Sequence, residues 1–416
     1  MKTNRMIRTS TQALTAGLVL AAAADVYAQE PSTPAWLTKM FDENVHSALS
    51  DGKFNLNARL RYEHADQFGL KPSDAFTIRT RFGFTTAPVH GLNAMIEGEN
   101  TKILGPNVNY AAPGNNAPAH TTVLDPELTE INRAWLAWSG YDTLIKAGRQ
   151  RIIHDGARFL GNVGWRQAEQ TFDAVRLNNK SIADLTIDYS YIFNVKRVND
   201  TNRDSDSHAF NLGYTGLPIG KLTAYSYLLD FPDGPTAQSS ATYGVALKGS
   251  KPLNDDIKLS YLGEFAWQTD YGANVADYQA EYYHLNAGAS YKAFTLAAGY
   301  EVLGTDDNVG FYTPLATLAK WNGWADAFLA ATPAGGLRDT YVSGTVKLPY
   351  GIPLNVTYHH FSTDIGGVDL ADEIDVTVTK KLTKNLSALA RFAHFDGTGA
   401  GPADRDKFWF QFDYNF

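Results

Sequence analysis

The chain has no cysteine, and this absence limits its chemistry. Without a thiol it has no disulfide, no thiolate metal site and no cysteine nucleophile. No stretch of about 18 consecutive apolar residues occurs, so the sequence does not predict a membrane-spanning helix. Acidic residues outnumber basic ones, with 44 Asp and Glu against 36 Lys and Arg, so the formal net charge is −8. That balance argues against a general nucleic-acid binder.

Aromatic residues and glycine are abundant, with 22 Tyr, 22 Phe and 35 Gly. This composition suits many short strands joined by glycine turns. The last eleven residues show the pattern most clearly, because every second residue from Phe408 to Phe416 is aromatic and most residues between them are polar. A period of two is typical of a β-strand with two different faces. One apolar face and one polar face predict a strand of a β-barrel in a lipid bilayer.

The N-terminus has the layout of a secretory signal peptide. Basic residues precede a short apolar run from Ala13 to Ala24, and Val26-Tyr27-Ala28 offers a cleavage site before Gln29. We therefore predict a signal peptide over residues 1–28 and export from the cytoplasm. Residues 29–53 are not strand-like and are interpreted as a periplasmic N-terminal segment. That segment is either a short helix starting near Pro34 or a plain leader to the barrel.

Alternating segments recur throughout residues 54–416. Five are strong, and they lie at 54–63, 75–85, 91–100, 184–194 and 257–268. With weaker segments and the terminal strand they add up to about 18. The predicted fold class is all-β, a transmembrane antiparallel up-and-down barrel with short periplasmic turns and long extracellular loops. A barrel of this kind predicts a location in the bacterial outer membrane. The alternative fold is a secreted β-sandwich or solenoid.

The connecting segments support the barrel, because short and long ones alternate along the chain. Short ones include 139–142 and 216–220, and long ones include 152–170 and 303–338. The long loop after Val302 has apolar residues at helical spacing from Leu315 to Phe328, which predicts an amphipathic helix. Two roles stay open for it, namely packing on the barrel wall and gating of the pore.

Side chains cannot fill a barrel of this size, so we expect a water-filled lumen. By parity Arg59, Arg61, Arg79 and Arg81 lie on the inner face of consecutive strands and form one basic patch. Further inward positions are acidic and include Glu97, Glu99 and Asp188. Two interpretations stay open, namely contact with an anionic solute and pairing of opposite charges across neighbouring strands.

The most motif-like part of the chain joins two strands through a loop rich in glycine and charge. It contains Gly148-Arg149-Gln150-Arg151, then Arg158 and Trp165, then Thr171-Phe172-Asp173-Ala174-Val175-Arg176. These residues resemble the alginate export family of outer-membrane barrels, and so does the terminal Phe416. One departure is Ala174, where the family usually has glycine. The resemblance implies an 18-stranded channel with an arginine-rich constriction that passes polyanionic uronate polysaccharide.

The sequence therefore predicts an outer-membrane channel for polar, anionic solutes such as uronate-containing saccharides. Alternatives are a broad nutrient porin and, from another class, an outer-membrane hydrolase or adhesin. We predict no enzyme activity, no metal and no cofactor, since no nucleophile elbow or calcium loop is present. Expected partners are membrane lipid, the barrel-assembly machinery and small anionic solutes. The predicted pore-lining residues are Arg59, Arg61, Arg79, Arg81, Glu97, Glu99, Arg149, Arg151, Arg158, Asp173, Arg176, Asp188 and Arg391.

Overall fold

The computed structural model describes residues 35–105, 109–234, 236–329 and 332–416. The predicted signal peptide, residues 1–28, lies outside these ranges. One α-helix, α1, spans Ala35–Ser50 and belongs to an N-terminal unit that ends at Gly52. It begins close to Pro34, as one of the two interpretations of this segment predicts. No helix within the described residues is long and apolar enough to cross a membrane.

The second unit, Lys53–Phe416, consists mainly of β-strands. Their bounds are β1 Lys53–Gln67, β2 Ser73–Thr85, β3 Leu92–Ile103, β4 Leu128–Gly140, β5 Thr143–Gln150, β6 Thr171–Asn179, β7 Leu185–Lys196, β8 Asn202–Leu217, β9 Gly220–Leu229, β10 Ser240–Pro252, β11 Ile257–Asp270, β12 Gln279–Tyr291, β13 Phe294–Leu303, β14 Thr305–Asp306, β15 Val309–Gly310, β16 Leu337–Leu348, β17 Ile352–Ser362, β18 Asp369–Lys381, β19 Leu386–Gly397 and β20 Arg405–Asn415. Short 3-10 turns lie at Thr236–Gln238, Leu318–Lys320 and Pro349–Gly351.

Eighteen of these strands form one closed antiparallel sheet, and β14 and β15 form a separate hairpin. Closure occurs where β1 pairs with both β2 and β20. At this seam the backbone N–H of Phe416 donates to the carbonyl of Leu56 at 2.9 Å, and Leu56 donates back at 3.1 Å. A closed barrel leaves no unpaired strand edge, which a bilayer requires because its core offers no water to hydrogen-bond. The predicted 18-stranded barrel is confirmed.

The two faces of the wall differ as the periodicity predicts. In β20, Phe408 and Phe410 are about 40% exposed, at 39% and 42%, whereas Lys407, Trp409 and Gln411 are buried. Large apolar side chains cover the outer surface on many other strands. Their exposure is favourable because hydrocarbon chains of the lipid contact them. The inner face carries most of the charged residues.

The lengths of the connections alternate as expected. Residues 141–142 join β4 to β5 and 218–219 join β8 to β9, whereas 151–170 join β5 to β6. Short turns mark the periplasmic end of such a barrel and long loops mark the extracellular end.

The predicted amphipathic helix after Val302 is wrong. Among the described residues of that loop only the 3-10 turn Leu318–Lys320 is helical. Asn322, Gly323 and Asp326 have φ of 55°, 81° and 56°, and this left-handed backbone ends any helix there. The apolar spacing arises instead because the loop packs irregularly inside the barrel.

Candidate functional site

Two extracellular loops fold back into the barrel and contact its inner wall. We call residues 151–170 inner loop 1 and the described residues 311–329 and 332–336 inner loop 2. They are joined to each other, because Gly161 N–H donates to the Leu315 carbonyl and Thr317 N–H donates to the Ala157 carbonyl, both at 2.9 Å. The lumen is therefore narrowed by a double layer of loop rather than by side chains of the wall alone.

An aromatic cluster holds the two loops to one side of the wall. Phe159 of inner loop 1 lies 5.2 Å from Tyr225 and from Tyr282, and 5.9 Å from Phe311, between ring centroids. These rings are buried. Burial of such rings stabilises each by roughly 1.5–3 kcal/mol, so the cluster is a large part of what keeps the loops inside.

The basic patch predicted on β1 and β2 holds the opposite side of inner loop 1. Arg59 Nη1 donates to the carbonyls of Gly164, Trp165 and Arg166 at 3.0–3.1 Å. Arg79 Nη1 donates to the Gln167 carbonyl at 3.1 Å. Arg61, Arg79 and Arg81 are buried, with Arg61 0% exposed. The patch forms as parity predicts, but its donors are used by the loop backbone.

The other predicted charged residues occur mostly as ion pairs. The pairs, with their shortest N–O distances, are Arg133–Glu97 at 2.6 Å, Arg151–Glu169 at 2.5 Å, Arg158–Glu301 at 2.7 Å, Arg176–Asp188 at 2.5 Å, Arg149–Asp173 at 2.8 Å and, in close contact, Arg81–Glu99. Within inner loop 1, burial acts to raise the pKa of Glu169, but the positive charges of Arg81 and Arg151 outweigh it and lower that pKa to about 2. This carboxylate is therefore ionised and paired at neutral pH.

Arg149 keeps the alternation of β5, because the register of β5 with β4 and with β6 runs without a shift. It therefore lies on the same face as Ile145 and Ala147, which is the outer face. There its guanidinium forms two bonds with the Asp173 carboxylate, at 2.8 and 2.9 Å. The structure brings these two motif residues together, away from the lumen.

Two carboxylates of the wall hold inner loop 2 by accepting hydrogen bonds from the backbone N–H groups of the loop. Ala325 N–H donates to Glu373 at 2.7 Å, and Trp324 N–H donates to Asp375 at 3.2 Å. The segment needs glycine at 323, because a Cβ there would lie 2.1 Å from Glu373 Oε2. Its left-handed φ of 81° is a second reason, since only glycine adopts it without strain.

Several open spaces adjoin the inner loops, among them one of about 330 Å³ lined by His154, Phe159 and Glu264. An outer pocket of about 100 Å³ lies near the extracellular strand ends and is lined by residues such as Arg166, Arg405 and Lys407. A chamber of about 770 Å³ lies on the periplasmic side of the loops. Ala319 of inner loop 2 lines both the outer pocket and the chamber. The two spaces therefore adjoin at this residue.

Arg391 of β19 lies on the chamber wall between two indole rings. Its guanidinium carbon is 3.8 Å from the ring centroids of both Trp165 and Trp324, one from each inner loop. Its Nε is buried without a partner, and Arg391 forms no hydrogen bond or ion pair with any described residue. The indole N–H of Trp165 is unpartnered too. Free donors beside a cation suit a carboxylate ligand.

Further cations near the chamber were missed by the sequence prediction. Lys248 and Lys320 line it, and burial together with the charge of Lys248 lowers the pKa of Lys320. Toward the periplasmic mouth the inner face carries Lys258, Lys347 and Lys381, which are exposed. Strand alternation in the sequence already places Lys258 on the inner face, and the same signal could have identified Lys347 and Lys381.

Chemistry of other kinds has little support in the described residues. They contain no group of three or more His, Asp or Glu placed to hold a metal ion. His154 is 3.4 Å from Asp188 and 3.2 Å from the Tyr227 hydroxyl, so it is part of a buried polar network. His359 faces the lumen beside Asp339, whereas its neighbour His360 faces outward beside Asp372.

Comparison with known proteins agrees with this architecture. A family model described as alginate export matches residues 51–306. Among solved structures, OpdK of Pseudomonas aeruginosa with vanillate is 15% identical, with a TM-score of 0.71 over 88% of this chain and 99% of that one. OccK9 (OpdG) of the same organism is 15% identical, with a TM-score of 0.71 over 89% of this chain and 100% of that one. OccAB4 of Acinetobacter baumannii is 14% identical, with a TM-score of 0.70 over 88% of this chain and 98% of that one. A comparison with curated protein sequences gives no match.

The closed barrel, apolar outside and polar within, is a porin-like channel of the bacterial outer membrane. The match covers more than half of the sequence, and the chain belongs to the alginate export family.

Proposed function

We propose that the protein passes small polar anions, such as uronate-containing saccharides, passively across the outer membrane. The route runs from the outer pocket past Ala319 into the chamber, and then along the lysines of the periplasmic mouth. The single observation that carries the proposal is Arg391, a chamber-facing cation without a hydrogen bond or ion pair among the described residues. Removing such a group from water without a partner is costly, so an anion that supplies one is bound favourably.

The arginines of β1 and β2 have a different role in this proposal. Arg59, Arg61, Arg79 and Arg81 hold inner loop 1 in place, and the solute contacts cations farther around the wall. Their carbonyl partners already take most of the donors that a carboxylate would need. The constriction is thus arginine-rich, but most of its arginines build it and Arg391 contacts the solute.

Aromatic carboxylates are a second candidate for the solute. Trp165, Trp321 and Trp324 line the same chamber as Arg391. An aromatic acid can stack on an indole ring while its carboxylate meets the guanidinium. The structurally similar OpdK was solved with vanillate.

Single-channel recording in planar bilayers tests both candidates. Glucuronate or vanillate is added to the wild-type channel, to Arg391→Gln and to Lys380→Gln. The last variant removes one positive charge from the outer face and serves as the matched control. We expect the preferred acid to block the wild type and the control equally. Block of Arg391→Gln should be about tenfold weaker, because the acid loses one charge-assisted hydrogen-bonding partner.

The comparison of the two acids decides the solute class. Stronger block by glucuronate supports a saccharide channel, and stronger block by vanillate supports an aromatic-acid channel. Equal block of the wild type and Arg391→Gln would refute the role of Arg391. A channel that neither acid blocks would refute the proposed function.

A further inference from the structure

Four short periplasmic turns are neighbours around the barrel, because β10 to β13 and β16 to β19 pair in sequence. They join β10 to β11, β12 to β13, β16 to β17 and β18 to β19. Each has an apolar side chain exposed at or beside its tip, namely Leu253 at 56%, Tyr291 at 48%, Tyr350 at 88% and Leu382 at 49%. Such exposure against water is unfavourable, so these tips need an apolar environment.

The same turns carry lysines outside the lumen, which we call the lysine rim: Lys251, Lys292, Lys380 and Lys384. Lys251 and Lys380 are outward by alternation, and Lys292 and Lys384 lie in the turns. The Lys292 Nζ lies 5.0 Å from the Tyr291 ring centroid, and Lys380 Nζ contacts the Tyr350 carbonyl. None of the four forms an ion pair with a described residue. Asp255 and Asp256 also lie in the β10–β11 turn, so the four turns carry four lysines outside the lumen against two acids. In a chain with a net charge of −8, this is a local excess of positive charge.

The remaining periplasmic turns have the apolar tips without this excess. Tyr141, Ile182 and Ile219 are exposed at 90%, 54% and 52%. The charges in those turns are mixed, since Lys180 lies near Asp184 in the β6–β7 turn. Apolar tips together with a net excess of lysine over acid are therefore confined to one sector of the barrel, from β10 to β19.

We propose that the lysine rim binds the headgroups of anionic phospholipids in the inner leaflet of the outer membrane. The apolar tips lie at the boundary between acyl chains and headgroups, and the lysine stems extend along them to bring Nζ to the phosphate. An acidic periplasmic protein fits less well, because the tips and the outward lysines lie against the membrane. The ligand class is a phosphodiester lipid with net negative charge.

Lipid retention by the full-length protein tests this inference. The protein is purified in detergent, mixed with equal amounts of phosphatidylglycerol and phosphatidylcholine, and examined by native mass spectrometry. The test variant is Lys251→Gln with Lys292→Gln, Lys380→Gln and Lys384→Gln. The matched control is Lys258→Gln with Lys347→Gln and Lys381→Gln, which removes lysines of the same barrel end that face the lumen. Heat-modified gel migration verifies that both variants form a barrel.

We expect the wild type and the control to retain phosphatidylglycerol over phosphatidylcholine about tenfold or more, since each lysine adds its own attraction to an anionic lipid. The test variant should lose most of that preference. Equal retention of the two lipids by the wild type, or an unchanged preference in the test variant, would overturn the proposal. So would displacement of the anionic lipid by soluble polyglutamate, which would indicate an acidic macromolecule as the partner.

Discussion

Replacing Gly323 by alanine should release inner loop 2 from the barrel wall. The new Cβ would lie 2.1 Å from Glu373 Oε2 and 2.5 Å from its carboxyl carbon, so one of the two groups must move. Moving either one breaks the bond between Ala325 N–H and Glu373. A hydrogen bond to a charged group contributes about 1.5–3 kcal/mol, and a left-handed alanine costs roughly 1–2 kcal/mol.

The sum is about 2.5–5 kcal/mol against the bound position of the loop, or roughly a 70- to 5,000-fold shift in its population. In single-channel records we expect Gly323→Ala to show frequent transitions to levels of higher conductance, because the loop no longer narrows the lumen. Limited proteolysis should cut inner loop 2 more rapidly than in the wild type.

Gly367→Ala is the matched control for this prediction. Gly367 also has a left-handed φ, 61°, but a Cβ there meets no atom within 4 Å. It therefore reproduces the backbone strain without the collision. If the two variants gave the same records and the same cleavage rate, contact with Glu373 would not be what holds the loop, and the reasoning would be refuted.

Three further predictions concern the inner loops. Ala319→Trp should reduce conductance strongly, since Ala319 lines both the outer pocket and the chamber, and unchanged conductance would place the route elsewhere. Arg79→Gln with Arg81→Gln should make inner loop 1 sensitive to protease, and resistance equal to the wild type would argue against the loop-holding role. Because the pKa of Glu169 is lowered to about 2 from its ordinary 4.5, its contribution to holding the loop is complete above about pH 4.5 and declines as the pH falls toward 2. Protease sensitivity measured from pH 7 to 3 should therefore rise only at the acid end, and Glu169→Gln should flatten that rise.

The barrel itself is predictable from the sequence because the residues within each strand determine which face of that strand contacts lipid. Each strand alternates apolar and polar residues, and a one-residue slip would expose its polar face to lipid. The terminal strand, with Phe408 and Phe410 outward and Lys407 inward, shows how fully this constraint determines the orientation of a strand.

Most of the site depends on long-range contacts and could not be predicted this way. Parity places Arg79 on the inner face, but it does not reveal that the Gln167 carbonyl will take its hydrogen bond. The apolar spacing of inner loop 2 resembles a helix, yet Asn322, Gly323 and Asp326 adopt left-handed backbone. The N–H groups of Trp324 and Ala325, which lie between them, donate to wall carboxylates and not to carbonyls of a helix. Arg391 was among the predicted residues, but only folding shows that two tryptophans surround it.

The reversal potential under a salt gradient across a planar bilayer tests the central claim most directly. A lumen in which Arg391 and the lysines of the chamber and mouth have no ion-pair partner among the described residues should conduct and should prefer chloride over potassium. Arg391→Gln should reduce that preference. A preference for potassium, or a well-folded barrel that carries no current, would contradict an anion passage through this lumen.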